Sequence, residues 1–502
     1  MTLPGRRGRS RLDDRGQRQA LLTQLNEPGC LCCRDEAGRA RRYWFWLVNE
    51  SYGEPPTIAA LQGSNGFCPR HSRHLLASGG ARLVAAVQSY VIGAPTERVR
   101  SALATARKGA VPFRIARALS PPRPCPACTS EREHRRREGE RLAGLLADAE
   151  VHDRLIQARG LCWQHWRGLA EHASWSQLGS ITRATTAILA RSGPGQEDRD
   201  LRASWAMLQG EDADRVARRE TGEDRAEPVP TEAWSPTVGW LRRWLTVPGC
   251  PLCLWRRAAL TEFLTWLDGE VHERTDRWRE ALDLCPTHAW DFAAVADRGS
   301  LRRLAEVLWT QRSGALNWLG ERLAAEPSRL PWRRLGEVSR RPGRAPGEQG
   351  LHRLRPRRLL DVLRAGLESP ESRLRRLLAR AILDRPCPAC EALRTRTHRL
   401  ADLLARALHD PETARVYRDG RGVCLHHLPV LVAACRTGDE ALLSLETALT
   451  RLEVLRWELE EALRKESWSV RYETEGGEQT AGRRASEQLA GSGLEDGWPI
   501  GV

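Results

Sequence analysis

Residues 125–165 read CPACTSEREHRRREGERLAGLLADAEVHDRLIQARGLCWQH. A Cys-x-x-Cys pair opens the stretch and a Cys-x-x-His pair closes it. Between them Leu142, Leu145 and Leu146 recur at helical spacing on an otherwise charged run, which predicts a helix over 131–149. A second, short helix is expected near 153–158, with Gly160 as its C′ residue. The Cys-x-x-His then opens a third. Pro126, just inside the first pair, fixes φ for a tight entry into helix.

The same unit occurs four times. Cys30 and Cys33 are followed by Cys68 and His71; Cys125 and Cys128 by Cys162 and His165. Cys250 and Cys253 are followed by Cys285 and His288, and Cys387 and Cys390 by Cys424 and His427. The gaps between second and third cysteine are 35, 34, 32 and 34 residues. Chance would give about 0.4 Cys-x-x-Cys pairs in a chain of this cysteine content, so repetition at a near-fixed gap marks a repeat architecture. Twelve of the 14 cysteines are used, leaving Cys32 and Cys435. Superposing the second and fourth units also aligns Leu142 with Leu404, Leu146 with Leu408, Asp148 with Asp410 and Gly160 with Gly422. Each Cys-x-x-Cys follows a stop signal: Pro28-Gly29, Pro124, Pro248-Gly249 or Pro386.

These residue types at these spacings point to metal. A Cys-x-x-Cys turn brings two sulfurs to one point, and Cys and His three apart on a helix share a face. The positive end of the helix favours thiolate. Three thiolates and one imidazole per unit form a closed tetrahedral set that suits structural zinc, with iron–sulfur ligation as the alternative. A structural zinc site is worth ~10–16 kcal/mol, comparable with the stability of a whole domain. Each unit is expected to close its own site, so that losing one cysteine unfolds its own unit most. Covalent haem is excluded because Arg34, Thr129, Leu254 and Glu391, not histidine, follow the pairs. A dithiol redox centre lacks its usual βαβ setting.

The Cys-Pro-x-Cys and Gly-x-Cys-x-x-His pattern, carried by Cys125, Pro126, Cys128, Gly160, Cys162 and His165 and their counterparts, resembles an uncharacterised bacterial repeat family, DUF6062. The third unit departs from it at Leu282 to Leu284, where the others have Gly66, Gly160 or Gly422, and the first has Leu31 in place of the internal proline. The resemblance implies the sites and no activity.

The expected fold is therefore all-α, with four tandem modules at 19–118, 119–194, 237–325 and 357–466. A charged linker (195–236), a basic linker (326–356) and a tail (467–502) read as disordered. In the fourth unit Leu445, Leu449, Leu452, Leu459 and Leu463 place a long amphipathic helix over 439–465.

The formal charge of +15 raises nucleic acid as a partner, but the basic residues are nearly all Arg, with Lys108 and Lys465 the only lysines, which reads as codon bias. Four divalent ions on twelve thiolates bring the formal charge from +15 down to about +11. No apolar run reaches the ~18–20 residues that span a bilayer, and 1–18 lacks an apolar signal core. A cytoplasmic location with reduced thiols follows as the expectation. The scattered His74, His152, His172, His272, His352, His398 and His409 offer no nucleophile–base arrangement, and a four-ligand set keeps no place for a reacting water. His427 fits the ligand spacing better than its neighbour His426. Of 19 tryptophans, Trp163, Trp166 and Trp290 flank Cys-x-x-His pairs and read as core and site shielding. The function expected is a non-enzymatic, metal-clipped interaction or regulatory scaffold with protein partners and no membrane. An electron-transfer or redox-sensing protein and a nucleic-acid binder are the alternatives.

Overall fold

The computed structural model describes residues 11–27, 29–146, 148–157, 160–191, 198–211, 238–273, 284–325, 374–378, 387–470 and 472–491. Among these residues the regular structure is helical throughout, without a strand. Each unit has a helix from the Cys-x-x-Cys, a short helix from the Cys-x-x-His and a long closing helix, and in the first, second and fourth a shorter helix connects the first two.

The first unit is α1 (Arg11–Gln24), α2 (Leu31–Trp46, prolonged by a π turn over Leu47–Ser51), α3 (Pro55–Gly63), α4 (Pro69–Ser78) and α5 (Ala81–Arg107). The second is α6 (Pro112–Leu119), α7 (Pro126–Leu145), α8 (Ala149–Gln157), α9 (Trp163–Ala170) and α10 (Trp175–Arg191), and it is followed by α11 (Asp198–Gln209). The third is α12 (Val238–Thr246), α13 (Pro251–Glu273), α14 (Pro286–Val295) and α15 (Arg298–Ala325). The fourth is α16 (Pro388–Ala407), α17 (Pro411–Asp419), α18 (Leu428–Ala434) and α19 (Gly438–Arg464), followed by α20 (Ala481–Ala490).

Local chemistry sets these boundaries. Proline stands at the first turn of α3, α4, α6, α7, α14, α16 and α17, where its missing N–H costs nothing and its φ is already helical. Asp410 caps α17 through Thr413 N–H, and Thr437 with Glu440 forms a capping box at α19. Gly160 and Gly422 lie at φ +66° and +61°, the left-handed turn into the Cys-x-x-His.

The long closing helices pair between the two halves of the chain, first unit with fourth and second with third. α5 and α19 run antiparallel, joined by Arg100–Glu453 (2.8 Å) and Arg107–Glu446 (2.9 Å) over a core of Val91, Val99, Leu445 and Leu452. α10 and α15 do the same, with the Trp175 Nε1–H donating to the Leu323 carbonyl at 3.4 Å. The leading helices repeat a second contact. Arg18 of α1 reaches Asp148 and Glu150 beside α8, and Arg242 of α12 reaches Asp410 and Glu412 beside α17. That contact is why the aspartates at 148 and 410 align between repeats.

Two expectations need correction. Within the stretch read as a charged linker, α11 is an ordered helix with Trp205 and Leu208 fully buried. Within the stretch read as a disordered tail, α20 packs on α5, with Ala481 and Ala485 buried and the Gln88 Nε2–H donating to Ser486 Oγ at 2.8 Å. Both were missed for a physical reason. The inner face of α20 is made of Gly482, Ala485, Ser486 and Leu489, small residues that carry little hydropathy but let two backbones come close. A Cβ on Gly482 would lie 2.8 Å from the Ala85 nitrogen. The 326–356 linker, the extreme tail beyond 491 and the expected start of the fourth module at 357 lie outside the described residues.

Candidate metal centres

Every ligand pair sits at a helix N-terminus. Cys30, Cys68, Cys125, Cys162, Cys285 and Cys387 are N-cap residues of their helices. The carbonyls of Cys250 and Cys424 likewise accept the first helical bonds, from Leu254 N–H (3.0 Å) and Leu428 N–H (2.8 Å). Two helix N-termini therefore face each site, and their partial positive charge offsets the thiolates gathered between them.

The sixteen ligand residues converge into four groups, each with all donor atoms within 4.8 Å of one another. Site A holds Cys30, Cys33, Cys162 and His165. Site B holds Cys68, His71, Cys125 and Cys128. Site C holds Cys250, Cys253, Cys424 and His427, and site D holds Cys285, His288, Cys387 and Cys390. In each site Nδ1 of the histidine faces the three sulfurs. The distances are 3.1–3.5 Å in A, 3.3–3.5 Å in B, 3.3–3.7 Å in C and 3.3–3.4 Å in D. The sulfur of the second Cys-x-x-Cys cysteine lies 3.6–3.9 Å from that of the Cys-x-x-His cysteine. A tetrahedral ion with ~2.3 Å bonds to sulfur and ~2.0–2.1 Å to nitrogen has edges of about 3.8 and 3.6 Å. Each group has the dimensions of one four-coordinate ion.

The expectation that each unit closes its own site is overturned. The Cys-x-x-Cys of the first unit meets the Cys-x-x-His of the second, and the reverse holds at the partner site; the third and fourth units exchange in the same way. Helix lengths explain this. The 20 residues of α7 carry the chain about 30 Å away from Cys128, and the 9 residues of α8 return it by only about 14 Å. The Cys-x-x-His is thus delivered well short of its own Cys-x-x-Cys. A second unit related by an approximate two-fold axis resolves the mismatch reciprocally, as in an isologous interface.

No family model, curated protein or solved structure matches this chain. The geometry therefore carries the functional argument alone.

Around the ligands lie residues that the motif did not mark. The third residue after the Cys-x-x-Cys is Glu36 in the first unit and Glu131 in the second. Glu36 Oε1 accepts from His165 Nε2–H (3.1 Å) and from Arg135 Nε–H (2.7 Å). Glu131 accepts from His71 Nε2–H (3.0 Å) and pairs with Arg70. Such a carboxylate fixes the tautomer that leaves Nδ1 free for a metal. Burial opposes ionisation of Glu131, yet the His71 bond and the Arg70 charge hold its pKa at about 2. Burial likewise opposes ionisation of Glu36, and His165 and Arg135 hold it below the usual range. The shared spacing was the only sequence signal, and two copies out of four did not stand out.

Glycines cover two of the sites. Gly210, at φ +83° after α11, lies over the Cys33 and Cys162 sulfurs, and the Glu211 N–H donates to Cys33 Sγ at 3.4 Å. Gly491, at φ +124° after α20, lies over Cys253 and Cys424, where a Cβ would come within 3.0 Å of Cys253 Sγ. Trp290 holds the first cover through Nε1–H to the Gly210 carbonyl at 3.0 Å. Trp163 and Trp166 are buried and stacked, with centroids 4.9 Å apart, so these tryptophans shield the sites from within.

The thiol chemistry repeats as well. Hydrogen bonds from Cys128 and Cys68 pull Cys125 down to about 3. Cys387 is drawn down in the same sense by Cys285 and Cys390, while Cys30 and Cys250 are drawn down by their neighbours' thiols against the opposing effect of burial. The N-cap cysteine of each Cys-x-x-Cys is thus the natural first thiolate. Cys32 is buried against Cys30, which pushes its thiol up, and it occupies the position of the buried Ala127, Leu252 and Ala389. Cys435 is a buried thiol donating to the Leu431 carbonyl at 3.3 Å, pushed up to about 12 by burial. His427, not His426, turns Nδ1 to the sulfurs. Among the described residues no other histidine joins a ligand group.

Proposed function

We propose that this protein is a non-enzymatic helical scaffold in which four zinc ions act as structural staples, presenting an outer surface to protein partners in a reducing, cytoplasmic setting. The observation that carries the reading is the reciprocal grouping of Cys-x-x-Cys and Cys-x-x-His pairs into sets of one-ion size, each drawn from two units. An ion at such a site joins segments up to 177 residues apart in sequence, which is the work of a clip. Four protein donors leave no position for a reacting water. Donor atoms packed within 4.8 Å favour one ion over a polynuclear iron–sulfur core. No described helix is long and apolar enough to cross a membrane.

Elemental analysis with a visible spectrum, on protein purified without oxygen, tests the reading. Four colourless zinc ions per chain are expected. Iron with brown absorbance would replace it by the electron-transfer or redox-sensing reading. Salt-sensitive retention of random DNA or RNA at physiological ionic strength would move the partner from protein to nucleic acid.

A further inference from the structure

The four sites differ in one edge of the tetrahedron. That edge runs from the second Cys-x-x-Cys sulfur to the Cys-x-x-His sulfur. In sites A and C it lies under Gly210 and Gly491, and all four cysteines concerned, Cys33, Cys162, Cys253 and Cys424, are buried. In sites B and D the same edge is Cys68–Cys128 (3.6 Å) and Cys285–Cys390 (3.9 Å), and these four are the only ligand cysteines that are partly exposed. Each pair of units thus has one covered and one open centre.

We infer that the Cys68–Cys128 and Cys285–Cys390 edges are modification sites at which a hydroperoxide oxidises a thiolate pair and releases the metal. This rests on the metal-staple reading above. One thiolate attacks the peroxide; the O–O bond breaks, the sulfur becomes a sulfenic acid, and the leaving alkoxide or hydroxide takes a proton from solvent. The second thiolate then attacks the sulfenic sulfur, forming S–S and breaking S–O, and hydroxide leaves to be protonated to water. Two sulfurs lose two electrons in total and the peroxide gains them. The metal, left with one thiolate and one imidazole, dissociates as the divalent ion. Because the two cysteines of each edge come from different units, the disulfide leaves the units tied: a metal staple becomes a covalent one.

Access decides which edges react, since sulfur oxidation follows thiolate character and exposure. The test is hydrogen peroxide on the full metal-loaded chain. Metal release is followed with a chromophoric chelator, and disulfides are mapped by peptide mass spectrometry at intervals. The expectation is a fast phase carrying two of the four ions, at least about tenfold faster than the rest, with Cys68–Cys128 and Cys285–Cys390 as its disulfides. A single phase for all four ions, or Cys33–Cys162 forming as early as Cys68–Cys128, overturns the inference. Metal content is measured first. A chain purified without metal defeats the staple reading and this inference with it, whereas a chain with four equally reactive ions defeats this inference alone. A Gly491→Ala variant sharpens the result, because a Cβ 3.0 Å from Cys253 Sγ should push the covering backbone off site C and move that site into the fast phase while site A stays slow.

Discussion

The N-terminal pair of sites, A and B, and the C-terminal pair, C and D, share ligand types, helix-end placement and reciprocal grouping, yet they support their histidines in opposite ways. In the N-terminal pair each imidazole donates to a glutamate from the facing Cys-x-x-Cys helix, Glu36 or Glu131. In the C-terminal pair the same helical position holds Arg256 or Leu393, and the Nε2 atoms of His427 and His288 are buried without a hydrogen-bond partner among the described residues. Arg256 is instead partly buried, which lowers its pKa, and lies close enough to Cys253 and Cys390 for both thiolates to oppose that shift, so it sets positive charge between sites C and D. One half orients its ligands with carboxylates; the other leaves them held by packing and offsets the thiolate charge from nearby. Geometry around an ion can therefore repeat while the shell behind it diverges.

The largest effect tests what the two halves have in common. Cys125→Ser removes a ligand from site B, to which the first and second units contribute equally. One ion should be lost. With a structural site worth ~10–16 kcal/mol, amide exchange should rise in α4 of the first unit as well as in α7 of the second. Cys387→Ser should do the same to α14 and α16 through site D. Exchange rising only in the mutated unit would mean that each unit closes its own site after all.

Much of this was legible in the sequence. The sixteen ligands, the helical class and the long helix α19 follow from spacing and from leucines at 445, 452 and 459. The grouping was not, because Cys-x-x-Cys and Cys-x-x-His signal a half-site each and are silent about which halves meet. Only the arithmetic of a 20-residue helix followed by a 9-residue return reveals the mismatch. α11 and α20 escaped notice because one is flanked by charged residues and the other packs through alanine, serine and glycine. Their value lies in two backbone segments, Gly210 and Gly491, that carry no side-chain signal.

The next effect breaks the difference between the halves. Glu131→Leu gives site B the residue type found behind site D, and removing the carboxylate that holds a metal-binding imidazole costs about 10–100-fold in metal affinity. Competition against a chelator should show site B falling to the level of site D, with site A unchanged. An unaltered affinity would make the Glu131–His71 bond incidental. A smaller, local effect separates the two covers. Gly491→Ala places a Cβ 3.0 Å from Cys253 Sγ, whereas Gly210→Ala places one 3.7 Å from Cys162 Sγ. Both require a left-handed φ, a strain of about 1–3 kcal/mol, but only the first also crowds a ligand. Thermal unfolding should fall further for Gly491→Ala, and equal losses would put the whole effect in the backbone.

The smallest effect is acid-dependent and belongs to the N-terminal pair. The Glu131 carboxyl, with a folded pKa of about 2, lies below the ~4.3 expected of an unfolded glutamate. The folded chain therefore binds fewer protons at this group than the unfolded chain does. Its contribution is fully present above the unfolded value and drains away as pH falls from there towards the folded value. Thiolate protonation loosens every site over the acid range, so the glutamate's share is read as a difference between two chains. Urea midpoints of the wild type and Glu131→Gln, followed from about pH 7 to about pH 3, should differ most near neutrality and converge in acid. Leu393→Ala, the same position behind site D, removes no charge, and its deficit should stay level across that range. If the Glu131→Gln deficit also stayed level, the glutamate would act on His71 by shape alone, and the two halves would differ in packing rather than in charge.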